Sequence, residues 1–315
     1  MPSDQRPVMS LIGALLFLVA CGAAAASEQS LPEATSLLGR PLYQPEILPE
    51  ARVRLEENFV KAKADYQKNP TSADALIWLG RRTAYLGRYR DAITVFTEGI
   101  EKFPNDARFY RHRGHRYLTV REIDNALADL EKAAALTKGQ PDEVEPDGAP
   151  NPANIPRSTT QTNIWYHLGL GYYLKGDYAR ARRAWETCLE LSQNDDMVVA
   201  SSYWLYLTLR RQGDDAEALF VLQPIGAEMN ILENHAYHSL LRLYKGQKKP
   251  EEIFHPQETD EVARATLGYG VAQWYGLHGQ EEKARALLQD IIQGKQWAAF
   301  GYLAAEADLA RAAVR

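Results

Sequence analysis

The sequence predicts an all-α chain, an α-solenoid of stacked helix–turn–helix hairpins, and two observations carry that prediction. Leu76, Gly80, Ala92 and Phe96 are answered 34 residues later by Tyr110, Gly114, Ala126 and Leu130, with Tyr117 and Ala133 completing the second set. Within each copy the apolar residues fall at helical spacing, as Ala92 and Phe96 do at i and i+4. A hairpin of this kind cannot cover its apolar face alone, so copies must stack. The pattern specifies a surface for holding other molecules and contains no reaction chemistry.

The first element is a targeting segment over residues 1–20. Arg6 precedes an apolar run from Val8 to Ala20, broken only by Ser10 and Gly13. As a helix that run reaches about 20 Å, short of the roughly 30 Å hydrocarbon core, and therefore fits a signal peptide better than a membrane span. It ends in Leu18-Val19-Ala20-Cys21-Gly22, which resembles the bacterial lipobox and marks Cys21 for lipidation; cleavage within Ala23–Ala26 is the alternative. Residues 21–48 read as an extended, Pro-interrupted tether.

Pro49 then opens a capping helix that ends near Asn69-Pro70, and the first two repeats complete the stretch 49–136. Gly80 lets the paired helices approach closely, and Leu86-Gly87-Arg88 closes the first helix with a residue free to turn left-handed. Residues 137–161 break the pattern. Pro141, Pro146, Pro150, Pro152 and Pro156 stand among Asp, Glu, Gly and Asn with no apolar period, so this acidic loop is expected to be disordered, either holding a partner or tolerated as an insertion. The third and fourth repeats follow at 162–232, a degenerate hairpin at 233–264, and a fifth repeat with a capping helix at 265–315.

Hydrophobic content of 45%, charge of 24% and a net charge of −5 suit a folded chain without a general pull toward nucleic acid. There are two cysteines; with Cys21 lipidated, Cys188 has no partner for a disulfide and reads as a buried, inert thiol.

Trp165-Tyr166-His167-Leu168-Gly169-Leu170-Gly171-Tyr172, followed by Gly176, Ala181 and Trp185, is the clearest copy of the pattern. Large residue, Leu-Gly, Tyr, Gly, Ala and aromatic at these offsets resemble the tetratricopeptide repeat (TPR) across roughly residues 73–294. The resemblance implies a right-handed superhelix whose first (A) helices line a groove that holds peptides. With the lipobox, Ser202-Tyr203-Trp204-Leu205-Tyr206-Leu207 and Leu243-Tyr244-Lys245-Gly246 are also similar to envelope lipoproteins of the new-lipoprotein-I type, which act as adaptors between cell-wall hydrolases and a periplasmic protease.

The groove rows implied by the resemblance are Asp74, Ile77, Arg81 and Tyr85; Arg108, Arg111, His115 and Thr119; Asn163, Tyr166, Leu170 and Tyr173; and Tyr203, Leu207 and Arg210. Nine arginines lie between Arg81 and Arg121, and guanidinium groups take carboxylates bidentately. One reading is a partner segment with acidic groups or a free C-terminal carboxylate near Arg81, Arg108 and Arg111, with apolar anchors near Tyr166 and Tyr173. The other is that these arginines pair with Asp and Glu of the same chain.

Other chemistries find little support. His112 and His115, and His235 and His238, each share a helix face, but a zinc site needs three or four ligands and no HExxH spacing is present. No phosphate loop or nucleophile elbow occurs, and Leu-Gly-Leu-Gly at 168–171 lies inside a helix. The sequence therefore predicts no enzyme, no cofactor, no metal and no nucleic acid. It predicts a scaffold of the bacterial cell envelope that binds other envelope proteins or peptides and reaches the membrane through a lipid anchor on the periplasmic side. A soluble periplasmic or secreted chain is the alternative to the anchor. A chaperone-like subunit of an export or cell-wall machine is the alternative to the scaffold.

Overall fold

A computed structural model describes residue 1, residues 31–255 and residues 260–313. The predicted signal peptide beyond Met1 and the lipidation expected at Cys21 lie outside the described residues. The chain divides into Met1–Leu31 and Pro32–Arg315, and every helix among the described residues belongs to the second unit.

That unit begins with a short antiparallel ribbon, β1 (Ala34–Thr35) and β2 (Pro41–Leu42), and continues into α1 (Pro49–Lys68). Two hairpins follow, α2 (Ala73–Tyr85) with α3 (Tyr89–Lys102), and α4 (Ala107–Thr119) with α5 (Ile123–Thr137). Beyond the proline loop come α6 (Thr160–Lys175) with α7 (Tyr178–Leu191), and α8 (Asp195–Gln212) with the shorter α9 (Asp215–Leu222). Next, α10 (His235–Tyr244) is followed by a 3₁₀ turn at Pro250–Glu252. Last are α11 (Glu261–Leu277) with α12 (Glu281–Ile291), and α13 (Phe300–Ala313).

Local chemistry starts and stops these helices. Ser72, Asp106, Thr159 and Asn194 each accept a backbone N–H from the first turn of an A helix, satisfying donors that the helix itself cannot. The turn inside the first hairpin needs a left-handed residue, and Gly87 supplies it at φ +76°. Thirty-four residues on, the same turn is made by Arg121 at φ +67°, where a side chain is strained.

Consecutive hairpins nest through Phe96, Phe109, Leu118, Leu130 and Ile164, all under 2% exposed. Part of the core is an aromatic block. Trp185 and Trp204 stack with ring centroids 6.0 Å apart, and Tyr173, Tyr203 and Tyr269 are buried around them.

Two segments differ from their sequence reading. Residues 32–48 are docked rather than extended as a free tether: Ala34 and Leu42 are buried, Glu33 Oε2 accepts from the Arg90 N–H at 2.9 Å, and Gln44 Nε2 donates to the Leu86 carbonyl at 2.6 Å. That carbonyl is one of the orphan acceptors at the end of α2, which gives the segment a reason to sit there. The acidic loop is ordered as well. Val144 bridges Thr159, the Glu145 N–H donates to the Ser158 carbonyl at 3.0 Å, and Arg157 Nε lies 2.8 Å from Asp196 Oδ2.

Candidate partner-binding face

Helices α2, α4, α6 and α8 stand side by side, so the predicted rows do share one face. What covers that face is the chain itself, in three places.

Over α2 and α4 lies the acidic loop. Arg81, 8% exposed, donates to the Pro146 carbonyl at 2.8 Å, and Arg82 donates to the Gly148 carbonyl at 2.8 Å. Arg111 Nε is 3.0 Å from Glu145 Oε2, with the two side chains 9% and 11% exposed. Burial depresses the Arg111 guanidinium, and the Glu145 carboxylate opposes that. Tyr85 stacks beneath Gly148, with its hydroxyl 3.4 Å from Arg81. Arg108 is held differently: Nη1 is 2.6 Å from Asp74 and Nη2 is 2.6 Å from Asp106, which together with Asp106 hydrogen bonding raises its pKa. The carboxylates of these arginines are therefore intramolecular, at Glu145, Asp74 and Asp106. Ile77 and Thr119 are buried.

Over α4 and α6 lies α13. Phe300 meets His115 at 5.5 Å and Tyr166 at 6.0 Å, while His115 and His167 face each other at 4.1 Å. Burial drives both histidines, and His112, well below the ordinary imidazole value, helped by the Arg111 and Arg116 charges nearby. His112 Nδ1 accepts from Arg111 Nη1 at 2.9 Å, since arginine can only donate. Asn163 donates to Ser158 Oγ at 2.9 Å.

Over α6 and α8 lie α10 and α11. Tyr166 Oη accepts from Trp204 Nε1 at 2.8 Å and donates to Tyr237 Oη at 3.0 Å. Tyr173 Oη is 2.8 Å from Tyr269 Oη, and Tyr203 packs between Trp204 and Tyr237. Leu170 and Leu207 are buried. Arg210 Nε is 2.9 Å from Asp215 at the start of α9. The tyrosines expected as apolar anchors are therefore core residues of the array.

Cys188 is fully buried, and burial pushes its thiol up to about 12. Among the described residues no three His, Cys, Asp or Glu side chains converge as metal ligands, and no helix is long and apolar enough to cross a membrane. A cleft of about 930 Å³ remains open beside α13, lined by Lys175, Tyr178, Arg211, Gln273 and Arg285. Sequence reasoning missed Glu145, Pro146 and Gly148 as the groups that answer the arginines. Its signal was an acidic segment in the same chain as an arginine-rich helix face.

Residues 162–195, which include most of the hairpin of α6 and α7, match the tetratricopeptide repeat family. No curated protein sequence matches the chain. Among solved structures the chain is similar to YrrB, described as a TPR protein with an unusual peptide-binding site, at 18% identity and TM-score 0.41, covering 80% of this chain and 97% of that one. It is also similar to PilF of Pseudomonas aeruginosa, at 18% identity and TM-score 0.47, covering 76% and 91%. A tetratricopeptide repeat protein from Parabacteroides merdae aligns at 14% identity and TM-score 0.48, covering 82% and 93%.

Proposed function

We propose that the chain is a non-catalytic scaffold that holds extended segments of other proteins against the face of α2 and α4. In this reading it works in the bacterial envelope, exported and anchored by lipid at Cys21. One observation supports the docking face above the others: Arg81, Arg82 and Arg111 already hold a non-helical segment of chain, residues 145–148, through two main-chain carbonyls and one carboxylate. Contacts to main-chain carbonyls accept any sequence, whereas the Arg111–Glu145 pair selects for acid. A helical repeat supplies such a face as a rigid row, because each A helix is fixed by the hairpins on either side. A face of guanidinium groups and aromatic rings suits adhesion, and it brings together no nucleophile with a base.

The test is capture of envelope proteins by the mature chain, crosslinked and identified, against the variant Arg81→Gln with Arg111→Gln. Partners held at this face are lost from the variant while its helical content remains close to wild type, although its melting falls because Glu145 loses its partner. Recovery of the same partners in the same amounts defeats the reading. The anchor is tested separately: Cys21→Ser releases the chain from membranes, and a variant that stays bound removes the lipid from the account.

A further inference from the structure

Residues 143–148 lie on α2 and α4 in the manner of a bound ligand. Their base is fixed elsewhere: the Thr160 N–H donates to the Glu143 carbonyl at 2.8 Å, and Asp142 accepts from the Gln161 N–H at 3.0 Å. The tip, Glu145 to Gly148, is what reaches the arginines. Gly148 rests so closely on the Tyr85 ring that a Cβ there would stand 1.9 Å from the hydroxyl.

The charges under this strand are poorly matched. Three guanidinium groups, on Arg81, Arg82 and Arg111, face it, a fourth on Arg116 is near enough to repel Arg81 and Arg111, and among the described residues Glu145 is the carboxylate that forms an ion pair with any of the four. Arg81 and Arg82 are otherwise held by the Trp78 ring, at 4.4 and 4.8 Å. Arg116 has no carboxylate partner among the described residues; its guanidinium lies 5.6 Å from the centre of the Tyr89 ring. Asp147 is a second carboxylate that Arg81 attracts, yet burial outweighs that attraction, its pKa is raised, and its Oδ2 is buried without a hydrogen-bond partner. Buried charge without a counter-charge is costly, so a strand that brings more acid to the same place fits better than the resident one.

We propose that residues 143–148 are a built-in competitor for the docking face of α2 and α4, displaced by a partner segment that is extended and carries at least two closely spaced carboxylates. This rests on the docking reading above and adds a gate to it. A tethered strand competes at an effective concentration on the order of millimolar, so weak or singly charged segments are excluded and strongly acidic ones are admitted.

The probe is a fluorescein-labelled peptide copying residues 141–150, Pro-Asp-Glu-Val-Glu-Pro-Asp-Gly-Ala-Pro, with a second version in which every Asp and Glu is Asn or Gln. It is titrated into the full chain and into the variant Glu145→Gln with Asp147→Asn. The acidic peptide binds the variant at least about tenfold more tightly than wild type, the neutral peptide binds neither, and adding Arg81→Gln with Arg111→Gln abolishes binding. Equal affinity for wild type and variant, both folded, overturns the proposal. Should the variant fail to fold, hydrogen exchange on wild type decides: excess acidic peptide must speed exchange of 143–148 while α2 and α4 stay protected, and unchanged exchange overturns it. If capture of an envelope partner depends on Arg81 and Arg111 but is indifferent to Glu145→Gln with Asp147→Asn, the docking face stands and the gate falls.

Discussion

Arg121 Nη2 lies 2.6 Å from Glu306 Oε2, with 3% and 1% of the two side chains exposed. The pair joins the turn between α4 and α5 to α13, 185 residues away in sequence. Glu306 Oε1 also accepts from the Leu37 N–H, and Arg121 donates to the Trp297 carbonyl at 2.8 Å. One carboxylate thus holds the docked N-terminal segment, the second hairpin and the last helix together.

Arg121 occupies the turn position that Gly87 fills one repeat earlier, and it does so at φ +67°. A left-handed arginine costs about 1 kcal/mol relative to glycine. Leaving one member of a buried pair alone costs about 3–5 kcal/mol, so the pair outweighs the strain. Urea unfolding is therefore expected to show Glu306→Gln destabilised by several kcal/mol. Arg121→Gly loses stability despite relaxing its turn, because Glu306 is stranded. Combining Arg121→Gly with Glu306→Gln costs much less than the sum of the singles. Additive losses in that cycle would show that the two residues act independently.

Acid should weaken the fold before ordinary carboxylates titrate. His112, His115 and His167 are held neutral mainly by burial, with the positive charges of Arg111 and Arg116 adding to it. Unfolded, each takes a proton near pH 6.5. The unfolded chain therefore binds more protons below that pH, and stability, complete above about pH 6.5, falls as the pH drops toward the depressed folded values. Each histidine contributes a slope of up to about 1.4 kcal/mol per pH unit in that window. Urea midpoints at pH 7.5, 6 and 5 measure it, and His167→Gln flattens the dependence. A midpoint that does not move between pH 7.5 and 5 rules this out.

The hairpins were legible because a repeat writes its neighbours into the sequence. Gly80 predicts a close-packed partner, and Phe96 is the ring that fills the space. Contacts that join distant parts leave no period. Leu37 with Glu306, or Arg81 with Pro146, pair a repeat position with a unique one, and no spacing announces them. The same holds for the groove rows. Tyr166 and Tyr173 point where the repeat puts them, but what they meet is decided by α10, α11 and α13, which follow the pattern loosely or lie outside it. The loop was misread for a physical reason. Its composition cannot build a core, yet it needs none, since the buried arginines supply donors for its carbonyls. Arg121 was the available clue, a charged residue standing where the turn favours glycine.

Two glycines inside helices separate packing from propensity. In a helix interior, alanine is favoured over glycine by about 1 kcal/mol. At Gly276 in α11 nothing opposes that gain, because an added Cβ meets its nearest neighbour, the Ala284 Cβ, at 3.9 Å. Gly276→Ala should therefore stabilise the chain by about 0.5–1 kcal/mol. At Gly169 in α6 the same methyl stands 2.5 Å from the Trp185 ring. That ring cannot retreat, since Tyr166 meets it edge-on at 5.2 Å and Trp204 stacks on it at 6.0 Å. Overpacking of this kind costs about 1–3 kcal/mol, which exceeds the propensity gain. Gly169→Ala should accordingly lower the urea midpoint while Gly276→Ala raises it. Equal shifts of one sign would mean that the Leu-Gly of the repeat reflects backbone preference, and that the aromatic block between the third and fourth hairpins yields more readily than its packing implies.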